Sequence, residues 1–325
     1  MKSEILKLLK KGDGFVSGEE ISSIFNVSRA AIWKHMGELK KEGYVIESIP
    51  KKGYRLVKSA DILTSDEILP VLKTRYIGRE IIYFDSIGST NNIAAIGAQK
   101  GCAEGLVVIA EEQTSGRGRL KRKWCTPKFS SIAFSLVLRP DIKPQDASGI
   151  TLVMGTAVCR ALRNVTNLDV RIKWPNDIII NRKKVCGILT EMNSEMDAVN
   201  YIIAGVGLNI NIKYFPEDLK NIATSLYIEC GHEISRRSVL VGVFREFEAL
   251  YDDFKNNGLK NIIDEFKSYS VTLGERVSVI SVNEKFEGTA VDVTDDGLLV
   301  VELDDKTKRK VISGDVSIRG IGGYV

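Results

Sequence analysis

Thr114-Ser115-Gly116-Arg117-Gly118-Arg119-Leu120-Lys121-Arg122-Lys123-Trp124 is the stretch on which the reading of this chain turns. Arg117, Arg119, Lys121, Arg122 and Lys123 supply the charge, and the two glycines let the backbone approach a ligand closely. The stretch follows Leu106–Ala110, an apolar run that reads as a buried strand. A flexible basic loop in that place is built to close over an anion. Gly116-x-Gly118-x-x-Lys121 lacks the third glycine of the dinucleotide fingerprint, and no capped helix follows it. No G-x-x-x-x-G-K-[ST] occurs, which excludes a P-loop. A solvated basic loop without a ligand is the plain alternative.

Three further clusters flank the loop. Ser89-Thr90-Asn91 stands between a strand and a helix, where its polar groups serve either as helix caps or as ligand contacts. Lys173-Trp174-Pro175-Asn176-Asp177 sets a lysine at a strand end, against an aromatic ring and a rigid proline. It reads as a site lysine or as an ordinary surface lysine beside a turn. Gly205-Val206-Gly207-Leu208-Asn209-Ile210-Asn211 offers a strand with little side-chain bulk. A ligand can lie flat on such a strand, or the glycines mark a bulge.

The totals narrow the chemistry. At 325 residues the chain exceeds one ordinary core, so two or three domains are expected. Its five cysteines are scattered without a CxxC pair, which points to reduced thiols and a cytoplasmic setting. No apolar run is long enough to span a membrane, so no membrane partner is expected. His35 and His232 are the only histidines, and neither stands in an acidic or cysteine cluster. No metal-ligating residues are therefore assigned, and a Ser-His-Asp triad is excluded. Catalysis in this chain should be electrostatic and positional.

Residues 1–58 carry twelve Lys/Arg against seven acids, while the chain as a whole is +4. The excess basicity thus lies entirely in the first segment, as expected of a polyanion binder. Helices are predicted at Ser3–Lys10, with Ile5, Leu8 and Leu9 inward, and at Gly18–Phe25, with Ile21, Ile24 and Phe25 inward. Gly12-Asp13-Gly14 separates them. Ser28 caps a third helix whose inner stripe is Ile32, Met36 and Leu39. Ser28, Arg29, Ala30, Trp33 and Lys34 then face outward at its start, the part of a recognition helix that meets base edges. Strands at 44–49 and 53–56, joined through Lys51 and Lys52, complete a winged helix-turn-helix. Such a domain binds tightly as a dimer on a two-fold site. A three-helix domain with merely solvated lysines is the alternative, though an outward Trp33 would be odd in it.

From residue 81 strands alternate with helices. Strands are expected at 81–84, 106–110, 132–138, 178–180, 185–191 and 201–207, and helices at 91–100, 147–164 and 235–255. A short helix beginning near Ser65 carries Ile68, Leu69 and Leu72. The class is α+β, a mixed sheet with helices on one face. Residues 276–282, 285–294, 298–303 and 310–318 read as a small SH3-like β-barrel. The expected domains are 1–60, 61–270 and 271–325.

Taken together, the winged helix-turn-helix, Ser89-Thr90-Asn91, Gln113 with Gly116-Arg117-Gly118-Arg119, Lys173-Trp174-Pro175-Asn176-Asp177 and Gly205–Asn209 resemble the bifunctional biotin–protein ligases that double as biotin operon repressors. The resemblance spans essentially the whole chain and implies a central fold like that of class II synthetases. It implies that biotin and MgATP give biotinyl-5′-AMP, whose acyl group passes to a lysine of a biotin carboxyl carrier domain of acetyl-CoA carboxylase. It assigns Ser89, Thr90, Asn91, Gln113, Gly116, Arg117, Gly118, Arg119 and Lys173 to biotin and the adenylate. Asn209 and Asn211 are weaker candidates for the nucleotide. Lys173 would bridge carboxylate and α-phosphate, while Arg117 and Arg119 stabilise phosphates and hold the loop shut. Trp124 would anchor the loop by packing, and Asp177 would reach Mg²⁺ through water. Many relatives carry a glycine where Lys121 stands, so retention of the adenylate is the property expected to differ. The resemblance further implies an adenylate-bound homodimer on biotin operator DNA. A non-enzymatic repressor that senses a small acid and a lipoate–protein ligase are the rival functions.

Overall fold

The computed structural model describes residues 1–12, 14–281, 284–313 and 317–320, without the side chains of Lys121 and of 317–320. Asp13 of the expected first break, and 282 and 314–316 of the expected last strands, lie outside the described residues. The chain divides into two compact units, Met1–Ile62 and Leu63–Val325.

In the first unit, α1 (Lys2–Lys11), α2 (Gly18–Phe25) and α3 (Arg29–Lys41) precede the antiparallel pair β1 (Val45–Ile49) and β2 (Gly53–Lys58). Ser17 caps α2 by accepting from Glu20 N–H, and Ser28 caps α3 by accepting from Ala31 N–H at 3.2 Å. Asn26, left-handed at φ 52°, turns the chain from α2 toward α3. Ile5, Leu6, Leu9, Ile21, Ile32, Met36 and Leu39 fill the core. Leu6 is the deeper residue where Leu8 was expected, and Leu8 packs at the margin. Ile24, expected inward, is 53% exposed, because the short α2 turns only Ile21 fully into the core.

The second unit continues with α4 (Ser65–Ile68), β3 (Ile81–Phe84), α5 (Thr90–Gln99), β4 (Val107–Ala110), β5 (Ser131–Leu138) and α6 (Gly149–Thr166). Then come β6 (Arg171–Lys173), β7 (Asp177–Ile180), β8 (Lys183–Ser194), β9 (Val199–Asn209), α7 (Leu226–Cys230), α8 (Arg236–Asn257) and α9 (Ile263–Tyr269). The chain ends in β10 (Arg276–Ile280), β11 (Lys285–Val293), β12 (Leu299–Glu302), β13 (Lys308–Val311) and β14 (Ser317–Gly320). The expected helix at Ser65 is a single turn, with Ile68 and Leu72 buried but Leu69 exposed. No described helix is long and apolar enough to cross a membrane.

Among the described residues, seven strands form the central sheet in the order β3-β4-β5-β9-β8-β7-β6. Only β3 and β4 run parallel; the other neighbours are antiparallel. Strand residues alternate between two faces. Val107, Ile109, Phe134, Leu136, Ile188, Ala204 and Val206 face α6 and α8 in one continuous core. Val108, Val137, Tyr201 and Ile203 face the other way, under α5, in a smaller core. The helical layer expected on one face is thus α6 and α8, while α5 covers part of the opposite face and leaves the rest open.

The strand-rich C-terminal region forms an antiparallel sheet ordered β13-β12-β11-β10-β14. Val277, Val279, Ala290, Val293, Leu299 and Val301 join the same core as α6 and α8. A sheet this small buries too little area alone, so it borrows its core from the central domain. Trp174 stitches the two together: its N–H donates to Thr272 Oγ1 at 2.9 Å and its indole Nε1 to the Gly297 carbonyl at 3.1 Å.

Candidate active site

The open part of the sheet face holds a cavity of about 840 Å³. Ser89, Thr90, Asn91, Gln113, Arg117, Gly118, Arg119, Lys173 and Asn209 all line it, together with Trp124, Asp177 and Lys184. Four sequence segments that are far apart in the chain therefore meet at one place. The volume lies within the range of ordinary ligand pockets.

The wall at α5 is a hydrogen-bonded chain. Ser89 occupies the N-cap position, yet its side chain makes no capping bond. Gln113 takes over that role: its Oε1 accepts from Thr90 N–H at 2.9 Å and from Thr90 Oγ1 at 3.1 Å, while its Nε2 donates to Thr126 Oγ1. Ser135 Oγ lies 2.7 Å from Thr90 Oγ1 and 2.5 Å from Asn91 Oδ1. The capping alternative for Ser89 fails on this geometry.

The floor is made of glycines. Gly205 and Gly207 of β9 stand opposite Leu189 and Gly187 of β8 in unbroken register, so they mark no bulge. A Cβ on Gly205 would come within 2.1 Å of Asn91 Oδ1, and one on Gly207 within 2.2 Å of Trp124 Nε1. The space saved at these positions is thus used by the protein's own Asn91 and Trp124, which rest directly on the strand.

The basic stretch is a tight hairpin rather than an open loop. Gly118 N–H donates to Arg122 O at 2.7 Å, and Trp124 N–H to Gly116 O at 2.9 Å. Leu120 turns the tip in the left-handed region, φ 54°. Gly116 does not line the cavity; a Cβ there would meet Trp124 O at 2.4 Å, so its bareness lets the hairpin close. Arg117 Nη2 donates to Asn92 Oδ1 at 2.6 Å. Arg119 donates to Asn176 Oδ1 at 2.9 Å and to the Ser313 carbonyl at 2.5 Å, reaching the segment that follows β13. Trp124 packs on the floor as expected of an anchor, with Lys184 Nζ 5.4 Å from its ring centroid. The side chain of Lys121, where the resemblance places a departure, is outside the described ones.

Lys173 ends β6 with 6% of its surface exposed, so it is no surface lysine. Asn176 is locked by β8, donating through Nδ2 to Ile188 O at 2.9 Å while its carbonyl accepts from Ile188 N–H. Asp177 pairs with Lys184 at 2.5 Å. Asn209 lines the cavity but spends its Nδ2 on Thr224 O at 3.0 Å. Asn211 is corrected: both ends of its amide bind the Ile234 backbone, and it does not reach the cavity. Behind the site, Arg236 and Glu111 form a fully buried pair at 2.5 Å. Phe129 N–H and Ser131 O join that pair and hold the end of β4 that leads to Gln113. Sequence reading missed Glu191, whose carboxylate accepts from Asn91 Nδ2 at 2.6 Å. The available signal was parity, since Glu191 shares the glycine-bearing face of β8.

Arg117, Arg119, Arg122, Lys123, Lys173 and Lys184 thus surround one cavity, with Asp177 the acid among its described lining residues. Such a site binds a polyanion and stabilises negative charge that develops in it.

The family model of the biotin/lipoate A/B protein ligases matches residues 83–209, an HTH domain model matches 2–55, and a biotin protein ligase C-terminal domain model matches 272–319. The bifunctional ligase/repressor BirA of Bacillus subtilis is 38% identical over 321 residues, covering 98% of each chain. The chain belongs to the bifunctional biotin ligase/repressor family. Its Escherichia coli relative is 30% identical over 97% of this chain and 96% of its own length. The biotin protein ligase from Aquifex aeolicus, solved with biotin and ATP, is 28% identical with a TM-score of 0.66, covering 75% of this chain and all of its own. The helix-turn-helix supplies the repressor half, with Trp33 of α3 74% exposed, Lys34, Lys51 and Lys52 at the surface, and Arg29 paired with Glu19 at 3.2 Å.

Proposed function

We propose that this chain activates biotin with ATP to biotinyl-5′-AMP and transfers the acyl group to a lysine of a biotin carboxyl carrier domain of acetyl-CoA carboxylase. One observation carries the reading: Ser89-Thr90-Asn91, the basic hairpin, Lys173 and the glycine floor converge on a single cavity. A biotin carboxylate oxygen attacks the α-phosphorus and pyrophosphate leaves; the carrier amine then attacks the acyl carbon and AMP leaves. Lys173 sits between carboxylate and α-phosphate, relieving the repulsion of two anions brought together. Arg117 and Arg119 take the phosphates, and the Thr90–Gln113–Ser135 chain orients the polar ring of biotin. Asp177, paired with Lys184 at 2.5 Å, would reach Mg²⁺ through water while the triphosphate oxygens held the ion, which would neutralise the leaving pyrophosphate.

The chain works in the cytoplasm, in keeping with its five free cysteines. With the adenylate bound it forms a homodimer whose α3 helices, through Ser28, Arg29, Ala30, Trp33 and Lys34, and whose wing lysines Lys51 and Lys52 engage biotin operator DNA. Ser28 contributes by capping α3 at the helix end that meets the DNA.

Biotin-dependent exchange of pyrophosphate into ATP tests the enzyme. Exchange with biotin and not with lipoate is expected; no exchange leaves a non-enzymatic repressor, and exchange with lipoate alone leaves a lipoate ligase. In the same preparation biotinyl-adenylate should shift sedimentation toward a dimer, and an unchanged monomer–dimer constant removes the dimer from the reading.

A further inference from the structure

Glu191 lies on the glycine-bearing face of β8, just outside the lining of the cavity. Alternation along β8 places Gly187, Leu189 and Glu191 on that face, opposite Gly207, Gly205 and Ile203. Its two carboxylate oxygens reach different segments. Oε2 accepts from Asn91 Nδ2 at 2.6 Å, and Oε1 lies 3.5 Å from Arg117 Nη2.

Each of those partners is otherwise constrained. Asn91 is buried, lies on Gly205 where no Cβ fits, and has its Oδ1 held by Ser135 at 2.5 Å. An amide has one acceptor end and one donor end, so a carboxylate at the donor end fixes which way it points. Arg117 Nη2 also donates to Asn92 Oδ1 at 2.6 Å. Both contacts use a single nitrogen, and the guanidinium keeps further donors for an incoming anion. Three segments remote in sequence, the start of α5, the basic hairpin and β8, therefore meet on one carboxylate.

We propose that Glu191 is a positioning residue of the ligase site: it fixes the Asn91 amide for biotin and anchors the hairpin through Arg117 before the nucleotide arrives. The proposal rests on the ligase reading above. Glu191 transfers no proton and touches no phosphate; it sets where two ligand-contacting side chains stand. Preorganisation of this kind lowers the cost of ordering the hairpin on binding and slows the escape of the bound intermediate. The half-exposed pair with Arg117 carries a modest share. The bond to buried Asn91 carries more, because an amide donor left without an acceptor there loses its compensation.

The test uses the full chain with Glu191→Gln and Glu191→Ala. Two quantities are read: release of preformed radiolabelled biotinyl-adenylate, and the biotin KM in pyrophosphate exchange. Gln keeps an acceptor for Asn91 but removes the charge facing Arg117. Release should therefore quicken about 3-fold, with the biotin KM unchanged. Ala removes both contacts, so release quickens likewise and the biotin KM rises about 10-fold. A merely structural role would move both variants together and show itself in the melting temperature. Release from the Gln variant at the wild-type rate or slower overturns the anchoring of Arg117. A biotin KM unchanged in the Ala variant overturns the positioning of Asn91. Failure of the wild-type chain to catalyse exchange overturns the ligase reading instead, so the two failures are distinct.

Discussion

The two faces of the central sheet use the same strands to opposite ends. Toward α6 and α8, Phe134, Leu136, Ile188, Ala204 and Val206 fill the space between layers, and Phe134 meets Phe244 edge-on at 5.2 Å. One residue further along those strands, Gly187, Gly205 and Gly207 keep side-chain volume off the sheet. Each glycine inside a strand costs about 0.5–1 kcal/mol relative to alanine. That cost is offset by Asn91 and Trp124, which take the vacated places. Stability is thus concentrated on one face and ligand geometry on the other, with strand alternation keeping them apart.

That division can be broken from either side. Phe134→Ala opens a cavity in the closed face and should cost about 3–5 kcal/mol, a fall in Tm of roughly 10 °C by calorimetry. Exchange per folded molecule should change little; an equally large loss of specific activity would show that the two faces are coupled. Gly207→Val attacks the other side. Its side chain collides with Trp124 and pushes the hairpin away, so exchange should fall about 100-fold while Tm stays within a few degrees. A variant with normal exchange would mean that Trp124 is not the hairpin's support.

The smallest effect lies on the outside of the helical layer. There Glu265 accepts a two-pronged bond from Arg160 and one from Tyr269 Oη at 2.7 Å. Burial pushes the Glu265 carboxyl up, but the Arg160 guanidinium and the Tyr269 hydroxyl outweigh it and hold the group below its usual range. A carboxyl depressed in the folded state stabilises above its unfolded pKa of about 4.3 and loses that contribution as pH falls through the folded value. Glu265→Gln should therefore lower Tm by about 1–2 °C at pH 7, with the gap closing below about pH 4. A gap constant with pH would assign the effect to packing.

Much of this arrangement is legible before folding. Strands of period two and the capped helices announce themselves, and Ser28 caps α3 where the hydroxyl before the apolar stripe says it should. The three-residue β6 is too short to show a period, and the single-turn α4 shows only its first apolar residues. Ile24 misleads because an eight-residue helix has fewer core positions than its apolar residues imply. In the site, cations and glycines are visible as residue types, but their partners are not. Asn91 and Glu191 stand 100 positions apart, and Arg119 and Ser313 stand 194 apart. Asn211 looks equivalent to Asn209 in the string, yet the chain bends after β9 and turns it to the Ile234 backbone.

The bond from Trp174 to Gly297 also sets an order of events in time. A ribosome makes the helix-turn-helix before the ligase residues, and that unit has its own core. The lysine-bearing turn is complete only when Gly297 has been made. At about 5–20 residues per second, the interval between Ile62 and Gly297 is roughly 10–50 s. Synthesis therefore passes through an interval in which the helix-turn-helix can close its own core while the ligase site is still incomplete.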